Sequence, residues 1–113
     1  MIIHGSLDML VTVNGTLLAI QNMTWAGSQG FSKAPTDIFN VPVFSDPATG
    51  DTGAAGSSGR TITERGLTFV EVWSAGHEVP EYAPSASFRQ VEFLLGRVDS
   101  LTGGEAFTTD PGE

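Results

Sequence analysis

At 113 residues the chain is long enough for one small domain with a modest core. Thirteen acidic against five basic side chains leave a net charge of −8, which repels polyanions and excludes nucleic acid and anionic membrane surfaces as expected partners. No cysteine is present, so disulfide and thiolate chemistry are excluded, and no window approaches the roughly 18 apolar residues of a membrane span.

The opening "MIIHGSLDML" has no basic region, long apolar run or small-residue cleavage site, so no signal peptide is expected in it. Its first five residues read as a buried strand running into glycine. From Asn14, "NGTLLAIQNMTW" places Leu17, Leu18, Met23 and Trp25 at helical spacings behind an asparagine cap, with Gly27 and "SQG" ending the helix. Residues 31–44 carry scattered large apolar groups and two prolines, which suit an edge strand or packed loop. The following stretch, 45–59, is rich in Gly, Ser, Asp and Ala and reads as a flexible surface loop.

Thr61–Glu64 and Leu67–Trp73 are rich in β-formers and separated by an Arg-Gly turn. "LTFVEVW" is nearly continuous in such residues, as in a strand covered on both faces. Pro84 and Ser85 open a helix on which Phe88, Val91, Leu94 and Leu95 form one apolar face. Residues 102–113 read as a polar, disordered tail. The expected fold class is α/β.

Two strands in this reading end in groups with chemistry. One runs out at Asp8, as "IIHGSLD"; the other at His77, as "FVEVWSAGH". In open α/β sheets, functional groups sit on loops at the carboxyl ends of strands. A carboxylate there can accept the Nδ1–H of an imidazole and fix its tautomer, which is the acid–base half of a hydrolase triad. His77 taken alone reads as a structural imidazole, and it is the pairing with Asp8, otherwise a loop-capping carboxylate, that favours the acid–base role. His4, for which the sequence offers no partner, reads as structural. A zinc site would need three or four convergent ligands at short spacings, and His4, Asp8 and His77 offer no such pattern, so neither metal nor cofactor is expected.

"HGSLDMLVTVNGTLLAIQNMTWAG" together with "ERGLTFVEVWSAGHEVPEYAPSASFRQVEFLLGR" resembles the C-terminal part of serine carboxypeptidases, most closely the secreted fungal forms. The resemblance implies the end of an α/β-hydrolase fold over residues 1–101: the last sheet strands with two helices and an inserted loop or hairpin region. It places the triad aspartate of a G-x-x-D stretch at Asp8 and the triad histidine of a G-A-G-H-x-x-P stretch at His77. The leading glycine of the second pattern is Ser74 here, and Ser6 stands where many relatives have Asp.

The same resemblance implies proteolysis with release of C-terminal residues from peptides, a secreted or vacuolar setting, and a role for Glu78 in lining the pocket of the leaving residue. Asn14 (N-G-T) and Asn22 (N-M-T) are N-glycosylation sequons. The family's nucleophile sits in a G-E-S-Y-G-G elbow upstream of the aspartate. Within this chain, "AGSQG" (26–30) is one glycine short of an elbow and follows Asp8, and "GSSG" (56–59) has the wrong spacing. The expectation is therefore a piece of a longer enzyme that is inactive alone, or else a non-catalytic binding or scaffold module that self-associates through an uncovered sheet edge.

Overall fold

The structure, a computed structural model, describes residues 1–44 and 55–108; positions 45–54 of the expected loop and 109–113 of the expected tail lie outside it. Strand β1 (Ile2–Gly5) leads through a short loop into helix α1 (Val13–Asn22). Thr12, not Asn14, caps the helix. It has the extended backbone a cap requires, and its Oγ1 accepts the N–H of Gly15 at 3.3 Å, while Asn14 lies exposed in the first turn.

The helix also stops earlier than its apolar spacing suggests. The N–H of Met23 closes on the Ile20 carbonyl at 3.0 Å, and the chain leaves extended into a hairpin of β2 (Thr24–Trp25) and β3 (Ser28–Gln29). The turn between them, Ala26–Gly27, has positive φ at both positions, the geometry of a two-residue hairpin turn. Trp25 therefore belongs to a strand. Its indole meets Phe31 edge-on at 5.2 Å, stacks under the Arg65 guanidinium at 4.3 Å, and donates Nε1–H to the Glu64 carbonyl.

Among the described residues the main sheet has four strands. Strands β4 (Asp37–Val41), β5 (Gly56–Glu64) and β6 (Leu67–Val72) run antiparallel, and β1 joins β6 in parallel, giving the order β1-β6-β5-β4. As residues 31–44 suggest, β4 is an edge strand among the described residues. The "GSSG" stretch opens β5 and is not loop; at Gly59 an added Cβ would stand 1.8 Å from the Glu71 carbonyl oxygen, so the close strand approach needs a residue without a side chain.

Side chains alternate along β6. Leu67 and Phe69 pack with Ile20, Phe31 and Ile62 beneath α1, while Val70 and Val72 pack with Phe39, Val41, Ala75, Val79 and Ala86 on the other face. The second face is covered by α2 (Val79–Tyr82) and α3 (Pro84–Leu94). The result is a mixed sheet between helices, with β6 buried on both sides.

Helix α3 reverses the expected faces. Phe88, Val91, Leu94 and Leu95 are 42–65% exposed, whereas Ala86, Arg89, Gln90 and Glu92 are buried. Residues 103–108, expected to be disordered, explain the reversal by folding back over the helix. Arg89 donates to Glu92 at 2.9 Å and to the carbonyl of Glu105, and it lies over the Phe107 ring. Glu92 in turn accepts the backbone and hydroxyl donors of Thr108, each at 2.6 Å. Burial opposes ionisation of Glu92, yet the Thr108 donors and Arg89 hold its carboxyl below the usual range. Phe107 is 3% exposed and meets Phe88 edge-on at 5.4 Å.

Phe107→Ala is expected to lower the unfolding free energy by about 3 kcal/mol in urea denaturation, as for other buried phenylalanines. A change below about 0.5 kcal/mol would be that of an unpacked tail.

Candidate active site

Parallel pairing in register Ile2↔Phe69 through Gly5↔Val72 brings the carboxyl ends of β1 and β6 side by side. The pairing continues past both strands: Ser6 donates its N–H to the Val72 carbonyl and Leu7 to that of Ala75, each at 2.9 Å. At Gly5 the two chains nearly touch. A Cβ there would lie 2.2 Å from the Gly76 oxygen and 2.4 Å from that of Ala75, so any side chain would push the His77 loop away.

Ser74 starts this loop with φ of 58°, the left-handed region that suits glycine. This is the position at which the family pattern carries glycine. The N–H of Ser74 donates to Ser6 Oγ at 3.2 Å. Ser6 therefore cross-links the two loops, a structural role that its place beside the aspartate does not announce.

Asp8 is buried at the end of the first loop. Its Oδ1 accepts the amides of Leu10 at 2.9 Å and Val11 at 3.0 Å, and its Oδ2 lies 2.9 Å from Nδ1 of His77. The Val11 amide, then the His77 and Leu10 donors, outweigh burial and lower the Asp8 pKa to about 2. The carboxylate is thus ionised and acceptor-only, so Nδ1 of His77 carries the hydrogen in this bond.

His77 responds in the opposite sense. Its hydrogen bond to Asp8, the charge of Asp8 and more distantly that of Glu78 raise its pKa above the ordinary imidazole value, against a smaller effect of burial. Its side chain is 49% exposed, and among the described residues Nε2 has no hydrogen-bond partner. A neutral ring held this way presents Nε2 as a base. Glu78 follows it, exposed and without a side-chain bond at the start of α2.

The structure thus brings Asp8 and His77 together and leaves Glu78 at their margin. Asn14 and Asn22 lie on α1, both exposed. Ser28 sits exposed on β3, in the hairpin that follows α1. His4, for which the sequence suggests no partner, has three: the Val11 carbonyl, Thr16 and, at longer range, Asp8. Beside His77 an open depression of about 270 Å³ is lined by Ile3, Val79, Pro80, Gln90, Val91 and Leu94. Both side-chain polar atoms of Gln90 are buried without a partner among the described residues. No group of three or more metal-binding side chains occurs among those residues.

The family model for serine carboxypeptidases matches residues 1–96. The chain belongs to the serine carboxypeptidase family. It is 54% identical to a carboxypeptidase Y homolog of Arthroderma benhamiae, over 89% of this chain and 20% of that protein. It is 41% identical to serine-type carboxypeptidase F of Aspergillus niger, over 87% of this chain and 20% of that protein. The solved structure of Kex1Δp, a prohormone-processing carboxypeptidase from Saccharomyces cerevisiae, superposes with a TM-score of 0.57 at 27% identity, covering 88% of this chain and 20% of that one. The chain spans about a fifth of the length of these relatives. Its mixed sheet and flanking helices are part of the α/β-hydrolase fold.

Ser74→Gly relieves the left-handed backbone and keeps the N–H held by Ser6, so thermal denaturation should show stabilisation of about 0.5–1 kcal/mol; a loss of stability would contradict the strain. In Asp8→Asn, an NMR titration should show the His77 pKa falling toward its ordinary value.

The sign of the linkage is fixed by the two shifts. The lowered pKa of Asp8 stabilises the fold above its ordinary 3.8 and is lost as pH falls toward 2. The raised pKa of His77 stabilises below its ordinary 6.5 and is lost as pH rises through the folded value. The stability gap between wild type and Asp8→Asn should therefore be widest between about pH 4 and 6.5.

Proposed function

We propose that this chain supplies the aspartate–histidine half of a serine-type carboxypeptidase active site, within an enzyme that releases C-terminal residues from peptides. The 2.9 Å contact between Nδ1 of His77 and Oδ2 of Asp8 is the observation that carries the reading. In the complete site, Nε2 of His77 takes the proton of the serine nucleophile as it attacks the scissile carbonyl and returns it to the departing amine. Asp8 holds the ring in the Nδ1–H tautomer and stabilises the imidazolium without itself being protonated. Glu78, exposed beside the histidine, lines the pocket of the leaving residue. Asn14 and Asn22, exposed on α1, are the glycan acceptors of a secreted or vacuolar protein.

A second reading has its own support. Leu7, Met9, Leu10 and Val11 flank Asp8 with 49–91% exposure, and the outer edge of β1 has no strand beside it among the described residues. Such surfaces favour a binding module or a self-associating one, with no chemistry of its own. Sedimentation of the purified chain as a stable, compact monomer at high concentration would count against self-association.

For the chain alone the expected activity is nil. Among the described residues no serine is hydrogen-bonded to Nε2 of His77, and loss of the nucleophile from a serine hydrolase costs on the order of 10⁶ in kcat. Blocked dipeptides incubated with the purified chain at acid and neutral pH should release no detectable C-terminal residue. Turnover abolished by His77→Ala, together with labelling by a serine-directed phosphonate, would reveal a nucleophile within the chain, and Ser28 would be the first residue to mutate.

A further inference from the structure

The chain's other histidine, His4, has no part in the proton transfers above, yet its contacts converge on the same carboxylate. It lies on β1 opposite Glu71, at 7% exposure. Its Nε2 is 2.5 Å from the Val11 carbonyl oxygen, and a carbonyl only accepts, so Nε2 carries hydrogen. Its Nδ1 is 3.0 Å from the hydroxyl of Thr16 on α1. In the neutral ring Nδ1 is then the acceptor and Thr16, whose hydroxyl can turn either way, the donor; the carbonyl fixes the Nε2–H tautomer and the hydroxyl accommodates it.

The same Nε2 lies 3.4 Å from Oδ2 of Asp8, the oxygen that accepts His77. Oδ2 thus stands between two imidazoles. Val11 is held at both ends, its N–H by Oδ1 of Asp8 and its carbonyl by His4. The side chains of Met9, Leu10 and Val11 are 91%, 77% and 49% exposed, so apolar burial does little to anchor this loop. Hydrogen bonds hold it: that from His4 and that from the Asp8 N–H to the Gly5 carbonyl, at 3.2 Å, join it to β1.

We propose that His4 is a positioning residue for the Asp8–His77 pair: with its tautomer set by the Val11 carbonyl and completed by the Thr16 hydroxyl, it clamps the 8–11 loop so that Asp8 presents Oδ2 to Nδ1 of His77. The proposal rests on the acid–base reading of that pair. Without the clamp, the Val11 carbonyl is unpaired, the amides of Leu10 and Val11 are free to move with the carboxylate, and His77 loses a fixed acceptor.

Histidine side-chain NMR on the full chain tests this. In the wild type, neutral His4 should be the Nε2–H tautomer; the Nδ1–H tautomer would overturn the proposal, and this readout needs no variant to fold. Thr16→Val should leave the fold and the Nε2–H tautomer of His4 intact, because the Val11 carbonyl still requires that donor; a shift to the Nδ1–H tautomer would show that the carbonyl does not hold it. His4→Phe keeps the volume and removes the donor. Its His77 titration should move down from that of the wild type, part of the way toward that of Asp8→Asn, with faster solvent exchange of the His77 Nδ1–H. A folded His4→Phe variant whose His77 titration and exchange overlay the wild type would sink the positioning role. If instead Asp8→Asn itself leaves the His77 titration unchanged, the underlying pair fails, which is a different outcome.

Discussion

The parallel pairing of β1 with β6 is the constraint on which the rest of the structure depends. One register, with Gly5 beside Val72, sets where both loops begin, and hydrogen bonds from Ser6 and Leu7 carry the pairing beyond the strands. A parallel pair cannot be closed by a short turn and requires a long crossover. Here that crossover contains α1, the small hairpin and two antiparallel strands, which is why the acid and the imidazole lie 69 residues apart in sequence and 2.9 Å apart in space. The bare backbone at Gly5 permits the approach. A side chain at that position would separate the loops before any question of acid–base chemistry arose.

Around this junction the work is divided between groups that bear charge and groups that hold geometry. Asp8 keeps its negative charge because backbone amides and His77 converge on it from fixed positions, and His77 is a stronger base because that charge lies beside it. Ser6 ties one loop to the other, and the left-handed Ser74 turns the chain sharply out of β6. Farther away, Arg89 and Glu92 pair on the buried face of α3 and hold the 105–108 segment against the helix. A buried ion pair of this kind adds little net stability, but removing one member leaves an unpaired charge in the core.

The elements legible from sequence were those whose signal is local. The run of β-branched and aromatic residues in β6 announces a strand covered on both faces, and the Arg65–Gly66 turn separates it from β5. Asp8 and His77 stood out because each follows a strand and carries a flanking motif. What sequence reasoning missed depended on distant partners. The outward turn of Phe88, Val91, Leu94 and Leu95 makes sense only once Glu105, Phe107 and Thr108 are seen to satisfy Arg89 and Glu92. The polar composition of 103–108 gives no hint that one buried phenylalanine anchors it. Trp25 fell into a helical spacing because apolar periodicity extends beyond the point where Met23 closes the helix. The partners of His4 were invisible because a backbone carbonyl and a threonine hydroxyl leave no motif.

The family model spans the residues that carry both loops, and the fold brings the two side chains into hydrogen-bond contact in the orientation that leaves Nε2 available. The most direct test is the tautomer of His77, read by nitrogen-detected NMR at a pH where the ring is neutral. The account predicts Nδ1–H, with its proton in a hydrogen bond to the Asp8 carboxylate and Nε2 bare. A neutral His77 protonated on Nε2 would mean that Asp8 does not orient the ring, and the acid–base pair would not exist.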